Sequence, residues 1–332
     1  MLFNATDLLI NDFVNRLQEG YQRTYGNWKE NYKDILAWAG GVALENIANG
    51  DALYHNVEHT ILVTLVGQEV IRGRQIREGG VLPGDWLHFI ISLLFHDVGY
   101  IKGVCQEDGN GWYATGVGEE RVRLSFGATD ASLTPYHVDR SKRFIEERFG
   151  GHKLIDVEIL KRNVELTRFP VPDGEDRQET RNFPGLVRAA DLLGQLSDPR
   201  YFNKICALFY EFEETGMNQI LGYQTPGDLR ANYAQFFWKE VYPYVKDALE
   251  YLSLTQAGKQ IAANLYSNVF VVEHGADGEV PAPIQRSPRP DESAQPLDNA
   301  FSDNAFADAD RNVDRDVNQE RRPTLIKERL AV

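Results

Sequence analysis

The sequence predicts an all-α protein, and three observations support this prediction. Apolar residues recur at spacings of three and four from about residue 6 to residue 272, as they do on one face of a helix. Alternating runs typical of strands are rare over the same range. Of the 332 residues, 42% are hydrophobic, which is enough to bury a sizeable core in one large domain or two ordinary ones.

The predicted helices differ in how deeply they are buried. The first is amphipathic, with Leu8, Leu9, Phe13 and Leu17 at helical spacing. The segment "DWLHFIISLLFHDVG" is apolar nearly all round and indicates a central helix, while aromatic stripes in the last two helices are typical of core. With an expected error of about two to four residues at each end, the predicted helices span 6–24, 28–48, 56–78, 85–97, 134–149, 155–169, 184–196, 199–215, 228–252 and 256–269.

These elements suggest a division of the chain. We expect N-terminal helices (1–49) to pack on a core domain (50–200), which continues into a helical extension of the same domain (201–272). The glycine-rich stretch 102–133 lacks sustained periodicity and is predicted to be a long loop with a lid or substrate-facing role. From 275 to 332 the chain becomes acidic, rich in proline and poor in large apolar residues, so we expect a disordered tail.

Composition excludes several classes of protein. A formal net charge of −14 argues against a binder of duplex nucleic acid, because phosphate neutralisation needs clustered Lys and Arg. No run approaches the ~18 apolar residues of a membrane span, and the N-terminal segment lacks the pattern of a signal peptide. Cys105 and Cys206 match no disulfide framework or zinc spacing. We therefore expect a cytoplasmic protein whose cysteines are buried and reduced.

Polar residues interrupt three of the most apolar helices. His55 and His59 are four apart, hence on one helical face; His96 and Asp97 end the central helix; and Asp191 lies among Ala and Leu. Burying an ionised carboxylate without a partner costs several kcal/mol. A divalent metal would be the partner of both the carboxylates and the imidazoles, since two nitrogen and two oxygen ligands suit Mn, Fe, Zn or Mg. For any single residue the alternative is a core histidine with satisfied hydrogen bonds, or an Asp191 paired with Arg188.

The pattern of a His, a His-Asp doublet and a distal Asp on a helical scaffold resembles the HD-domain superfamily of metal-dependent phosphohydrolases, over about residues 50 to 200. "YHNVEHT" is similar to the YHNxxH signature of cyclic-nucleotide phosphodiesterases. The whole stretch to about residue 270 looks most like uncharacterised bacterial HD-domain proteins. The resemblance implies that His59, His96, Asp97 and Asp191 bind one or two divalent ions, with Asp97 as the bridge between two.

The same resemblance implies roles for further residues, each with an alternative. His55 matches the histidine that protonates the leaving oxygen, or it is a structural residue of the first turn. His137 lies in the first turn of a predicted helix in which Thr134 is the cap and Pro135 takes the first position. It is a candidate ligand of a second ion, or else a helix-capping or surface histidine. Position along the chain, and not the resemblance, suggests two further candidates: Lys102 either contacts a phosphate or is solvated, and Arg188 either contacts a phosphate or orients Asp191. Two weaker candidates remain. Glu165 either replaces one of the family's metal-binding histidines or lies outside the site, and Gln195, on the same helical face as Asp191, is a candidate for orienting that carboxylate or contacting a phosphate. Departures from the family also occur: the chain reads "HDVGYIKG" where phosphodiesterases carry HDxxHPG, and "NVELTRFP" where cyclic-di-nucleotide enzymes carry paired histidines.

The sequence therefore predicts a phosphohydrolase acting on a small phosphorylated substrate, such as a nucleotide, a cyclic nucleotide or another organophosphate. One alternative is a metal-bound nucleotide-sensing module with little turnover. Another is an HD-type diiron oxygenase, which would need a further histidine such as His152 as a ligand. A homodimer is an open alternative to a monomer.

Overall fold

The computed structural model describes residues 4–275 and confirms the all-α prediction. The predicted tail, apart from Gly275, lies outside the described residues. In chain order the helices are α1 (Ala5–Tyr25), α2 (Asn31–Ile47), α3 (Val57–Glu78), α4 (Pro83–Phe95), α5 (His137–Phe149), α6 (Val157–Glu165), α7 (Phe183–Leu196), α8 (Tyr201–Thr215), α9 (Met217–Leu221), α10 (Pro226–Ala231), α11 (Tyr233–Phe236), α12 (Tyr242–Leu252) and α13 (Gln256–His274). None of these helices is long and apolar enough to cross a membrane.

Helices α3, α4 and α7 form the centre of the fold. Most of α4 is buried, as its all-round apolar sequence predicts. Glycine lets α3 and α7 approach closely: a Cβ at Gly194 would lie 2.6 Å from Val63 Cα. Because Gly194 is three residues after Asp191 and Val63 is four after His59, this contact brings two of the predicted ligands to the same level of the bundle.

A short 3-10 helix (Val98–Tyr100) follows α4 and turns the chain onto the start of α5. The Ser141 hydroxyl accepts the Gly99 N–H at 2.9 Å and donates to the His96 carbonyl at 2.7 Å. A Cβ at Gly99 would lie 2.0 Å from the His137 carbonyl oxygen, so only glycine fits there. The tight turn places His137 beside the His96–Asp97 pair.

The stretch predicted as a long loop, 102–133, contains two short antiparallel strands, β1 (Trp112–Ala114) and β2 (Arg121–Arg123). Its last residues enter a 3-10 helix (Asp130–Tyr136) that leads into α5. The loop prediction was therefore wrong for these elements, because strands of three residues are too short to produce a periodic pattern.

The predicted helix 228–252 is also divided. It consists of α10, α11, a π-helical stretch (Phe237–Val241) and α12. Pro243, in the first turn of α12, has no backbone N–H to continue the preceding helix. In α1, the buried stripe is formed by Ile10, Phe13 and Leu17, whereas Leu8 and Leu9 are exposed. Residues 4–275 nevertheless belong to one compact unit.

Candidate metal centre

The four side chains predicted as metal ligands converge where α3, α4 and α7 meet. His59 lies in the first turn of α3, His96 and Asp97 directly follow α4, and Asp191 lies in the middle of α7. His59 Nε2 is 3.2 Å from Asp97 Oδ2 and 3.7 Å from Asp191 Oδ1. His96 Nε2 is 3.1 Å and 3.4 Å from the same two oxygens. Separations of this size are those of ligands around an ion bound at about 2.0–2.2 Å.

The buried polar atoms at this point lack hydrogen-bond partners. His59 Nε2, His96 Nε2 and Asp97 Oδ2 are all buried, and none makes a hydrogen bond within residues 4–275. The other ring nitrogen of His96 is hydrogen-bonded: Nδ1 donates to the Leu93 carbonyl at 2.7 Å, which leaves Nε2 as the nitrogen with the free lone pair. Buried polar atoms are normally paired, so these residues fit a divalent cation.

The electrostatics at the centre point the same way. Burial opposes a charge on His96, but Asp97 and Asp191 outweigh it and raise its pKa well above the ordinary value. Burial likewise opposes ionisation of Asp97, but the neighbouring imidazoles outweigh it and lower the pKa of that carboxyl. The carboxylates therefore stabilise positive charge here, supplied by a proton or by a metal ion, and metal binding displaces protons.

His55 lies beside the ligands and is held by a residue that the sequence analysis did not single out. Its Nδ1 is 2.6 Å from Glu211 Oε2, and Glu211 Oε1 accepts the backbone N–H groups of Tyr54 and His55. Burial lowers the pKa of His55, but the Glu211 carboxylate outweighs burial and raises it to about 9. With Nδ1–H donated to Glu211, Nε2 is the free atom of the ring.

A second group of side chains surrounds Asp97 on the side of α5. His137 Nδ1 donates to the Thr134 carbonyl at 2.6 Å, and His137 Nε2 lies 3.9 Å from Asp97 Oδ1. The Tyr100 ring is stacked between His55 and His137, with centroid distances of 4.4 Å and 4.5 Å. Asp97 thus presents one oxygen to His59 and His96 and the other to His137.

The structure does not bring Lys102 into this cluster. Its ammonium group donates to Asp51 at 3.0 Å and to the Ala128 carbonyl at 2.9 Å, and lies 3.7 Å from Asp130. Although Lys102 is only five residues beyond Asp97, the glycine turn directs the chain toward the α2–α3 connection. The expectation of a phosphate contact by Lys102 has no support in this geometry.

Arg188 also points away from the ligands. It is buried, donates to the carbonyls of Arg177 and Glu179 at 2.6 Å and 3.0 Å, and lies over the Tyr244 ring at 4.3 Å. Burial lowers its pKa to about 10. Arg188 therefore does not face the predicted ligands and does not pair with Asp191. The Asp191 carboxylate lies near His59 and His96 instead.

The weaker candidates lie at different places. His152 stacks on Trp38 at 6.4 Å and is exposed, so it is not a ligand of this centre. Gln195 lies beside Tyr201. Glu165 takes part in a network of ion pairs next to the start of α5. None of the three joins the histidine–aspartate cluster.

Fold and site together define an all-α protein with a buried histidine–aspartate centre suited to a divalent metal. The chain belongs to the Npun_R2479-like family, whose profile matches residues 3–275. A comparison with curated proteins finds none that matches.

Proposed function

We propose that this protein is a metal-dependent phosphohydrolase of the HD type, acting on a phosphate ester such as a nucleotide, a cyclic nucleotide or another small organophosphate. The observation that carries the proposal is the set of buried, unpaired ligand atoms: His59 Nε2, His96 Nε2 and Asp97 Oδ2, with Asp191 opposite. These are the residue types and the order along the chain that the HD resemblance implies.

In the proposed site, His59, His96, Asp97 and Asp191 would hold one divalent ion of the Mn, Fe, Zn or Mg kind. His137 would join Asp97 in holding a second. The bound metal would lower the pKa of a water and offset phosphoryl charge. Asp191 is the most accessible of the four, with 18% of its side chain exposed, against 8% or less for the other three. Substrate therefore approaches from the Asp191 side.

The His55–Glu211 pair supplies the proton for the leaving group in this proposal. Glu211 fixes the His55 ring through Nδ1 and keeps it protonated near neutral pH, so that Nε2–H can donate to the leaving oxygen. Tyr100 restrains the same ring from one face. A structural first-turn histidine would not need a buried carboxylate on its ring nitrogen, and this favours the catalytic role for His55.

Two further features complete the proposal. Cys105 is buried as expected, whereas Cys206 is exposed, so the expectation of burial was wrong for Cys206. Both thiols are free, which suits a reducing cytoplasm, and the net charge of −14 suits a small substrate rather than duplex nucleic acid. The diiron oxygenase is less well supported, because His152 is remote from the ligands. The sensing module differs from the hydrolase only in turnover, so kinetics must separate them.

The first test is metal analysis of the full-length protein purified without chelator, beside a Mn²⁺-supplemented screen of phosphate mono- and diesters that includes cyclic nucleotides. We expect near-stoichiometric metal and saturable release of phosphate or of a monoester. Two irons with oxygen consumption and no hydrolysis would replace the proposal with an oxygenase. Bound metal without any turnover would replace it with a sensor.

A further inference from the structure

A network of five charged side chains lies between α5, the end of α6 and the segment before α7. Glu165 accepts Lys142 Nζ at 2.5 Å, Arg168 Nε at 3.0 Å and Arg177 Nη1 at 3.0 Å. Asp139 accepts from two of the same cations, Lys142 at 2.7 Å and Arg168 at 2.9 Å. One carboxylate, Glu165, thus takes hydrogen bonds from three cationic side chains.

The network has more positive than negative charge. Three cations share two carboxylates, in a chain whose formal net charge is −14. Between 17% and 25% of each of these side chains is exposed, so the cluster is within reach of a solute. An accessible group of two guanidinium ions and an ammonium ion is suited to a phosphate or another oxyanion.

The network borders two elements that lead to residues of the metal centre: α5, which begins at His137, and the segment that precedes α7. Asp139 lies two residues after His137, within the first turn of α5. Arg177 belongs to the segment that Arg188 anchors from α7, the helix that carries Asp191. Arg188 is 1% exposed and its Nε has no hydrogen-bond partner among the described residues. A buried guanidinium without a carboxylate partner adds positive potential beneath the cluster.

We propose that the three cations Lys142, Arg168 and Arg177, the basic subsite, bind a second anionic group of the substrate. Glu165 occupies the place of that anion in the free protein. The inference rests on the proposed function and narrows it, because it selects phosphate esters with a further phosphate or carboxylate, such as sugar bisphosphates or nucleotides with more than one phosphate group.

Exchange of Glu165 for a substrate anion is favourable on electrostatic grounds. A phosphate group carries up to two charges and three acceptor oxygens, against one charge and two oxygens for a carboxylate. Hydrogen bonds from Arg168 and Lys142 outweigh the burial of Glu165 and hold its pKa at about 2. Once released into water, the carboxyl returns to its ordinary pKa of 4.5, which is still well below neutral pH, so it stays ionised. The side chain needs only to turn outward from the end of α6.

The experiment compares two probes that cannot be hydrolysed as esters, hexane bisphosphonate and hexylphosphonate, titrated calorimetrically into the Mn²⁺-loaded full-length protein. We expect the bisphosphonate to bind about tenfold more tightly, which corresponds to about 1.4 kcal/mol. In Arg177→Ala the ratio of the two dissociation constants should fall toward one, and Arg177→Lys should restore part of it. In Glu165→Gln the bisphosphonate should bind more tightly than in wild type, because the competing carboxylate charge is gone.

Arg181→Ala is the matched control, since Arg181 is in the same segment but pairs with Asp247 at 2.8 Å instead of Glu165. It should leave both affinities unchanged. If the network is purely structural, Glu165→Gln should bind the bisphosphonate more weakly than wild type or equally well. Either result would overturn the inference. Equal affinity of wild type for the two probes would overturn it as well. Because neither probe is turned over, these outcomes are separate from a failure of the ester screen, which would overturn the hydrolase alone.

Discussion

Two buried polar clusters lie on either side of the glycine turn after α4, and they differ in how completely their atoms are paired. On one side, the side chains of Asp108 and Arg140 are fully buried, and both terminal nitrogens of the guanidinium donate to the carboxylate. The Asp108 carboxylate also accepts the backbone N–H groups of Gly103, Cys105 and Ala114. On the other side, the ligand atoms of the metal centre face one another without hydrogen bonds.

Arg140 illustrates the first kind of cluster in detail. Its Nε donates to the Gly99 carbonyl, and its two terminal nitrogens donate to the Ala114 and Ile101 carbonyls as well as to Asp108. All five donors of the guanidinium are therefore used within the chain. A buried cluster whose polar atoms are all hydrogen-bonded within the chain stabilises the fold. A buried cluster with unpaired polar atoms requires a partner that the chain does not supply, such as a metal ion.

Substitution of Asp97 should produce the largest effect, because it removes the carboxylate that faces both histidine groups. Asp97→Ala is expected to lose nearly all bound metal and, with it, several kcal/mol of transition-state stabilisation, about a thousandfold in rate. Wild type should gain about 2.7 kcal/mol of stability at a Mn²⁺ concentration 100-fold above its dissociation constant. The variant should gain none.

Elemental analysis and thermal unfolding with and without Mn²⁺ measure these effects. Asp108→Ala serves as the matched control, since it removes a buried aspartate that has no unpaired oxygen. If Asp97→Ala kept its metal and its activity, the assignment of the metal centre would be wrong.

Substitution of Asp108 should instead destabilise the protein whether or not metal is present. Asp108→Ala leaves Arg140 buried without its carboxylate, and loss of one partner of a buried ion pair costs about 3–5 kcal/mol. Urea unfolding with and without Mn²⁺ should give the same loss in both conditions. A loss that appeared only with Mn²⁺ would mean that the pair acts through the metal centre.

Acid should weaken the stabilisation that the Asp108–Arg140 pair gives to the wild-type protein. Burial opposes ionisation of Asp108, but Arg140 outweighs it and lowers the pKa of the carboxyl below its ordinary value of 3.8. The stabilisation is therefore present above 3.8 and is lost as pH falls below that value. Asp108→Ala should show a shallower loss of stability over this acid range.

The paired and unpaired clusters were not equally visible in the sequence. The metal-ligand candidates could be predicted because each is a polar residue that interrupts an apolar helix, a pattern that can be recognised from the sequence alone. They are His59, His96, Asp97 and Asp191. The Asp108–Arg140 pair could not, since Asp108 lies in an irregular loop and Arg140 in a helix rich in charge. Their contact depends on tertiary packing alone.

Spacing along the chain also suggested phosphate contacts by Lys102 and Arg188, which the positions of their side chains do not support. Arg188 is three residues before Asp191, hence near it on the helix, but its long side chain extends to the carbonyls of the preceding segment. Glu211 was missed for a related reason: in "LFYEFEET" it is one acid among three, and its role appears only when α8 packs against Tyr54 and His55. Helical spacing gives the face of a residue, whereas long side chains and contacts between helices determine its partner.

The His55–Glu211 pair combines features of both clusters, because one ring nitrogen is paired and the other is free. His55→Gln should retain the metal and slow turnover by about a hundredfold, at the lower end of the range for loss of a general acid.

Glu211→Gln should have a smaller effect on rate but a distinct effect on pH dependence. Since Glu211 raises the pKa of His55, its removal should lower that pKa and move the alkaline decline of kcat to lower pH. Metal content should be unchanged in both variants. A decline at the same pH in Glu211→Gln and wild type would show that His55 does not supply the proton, and His55 would then only shape the segment that precedes α3, which begins at Val57.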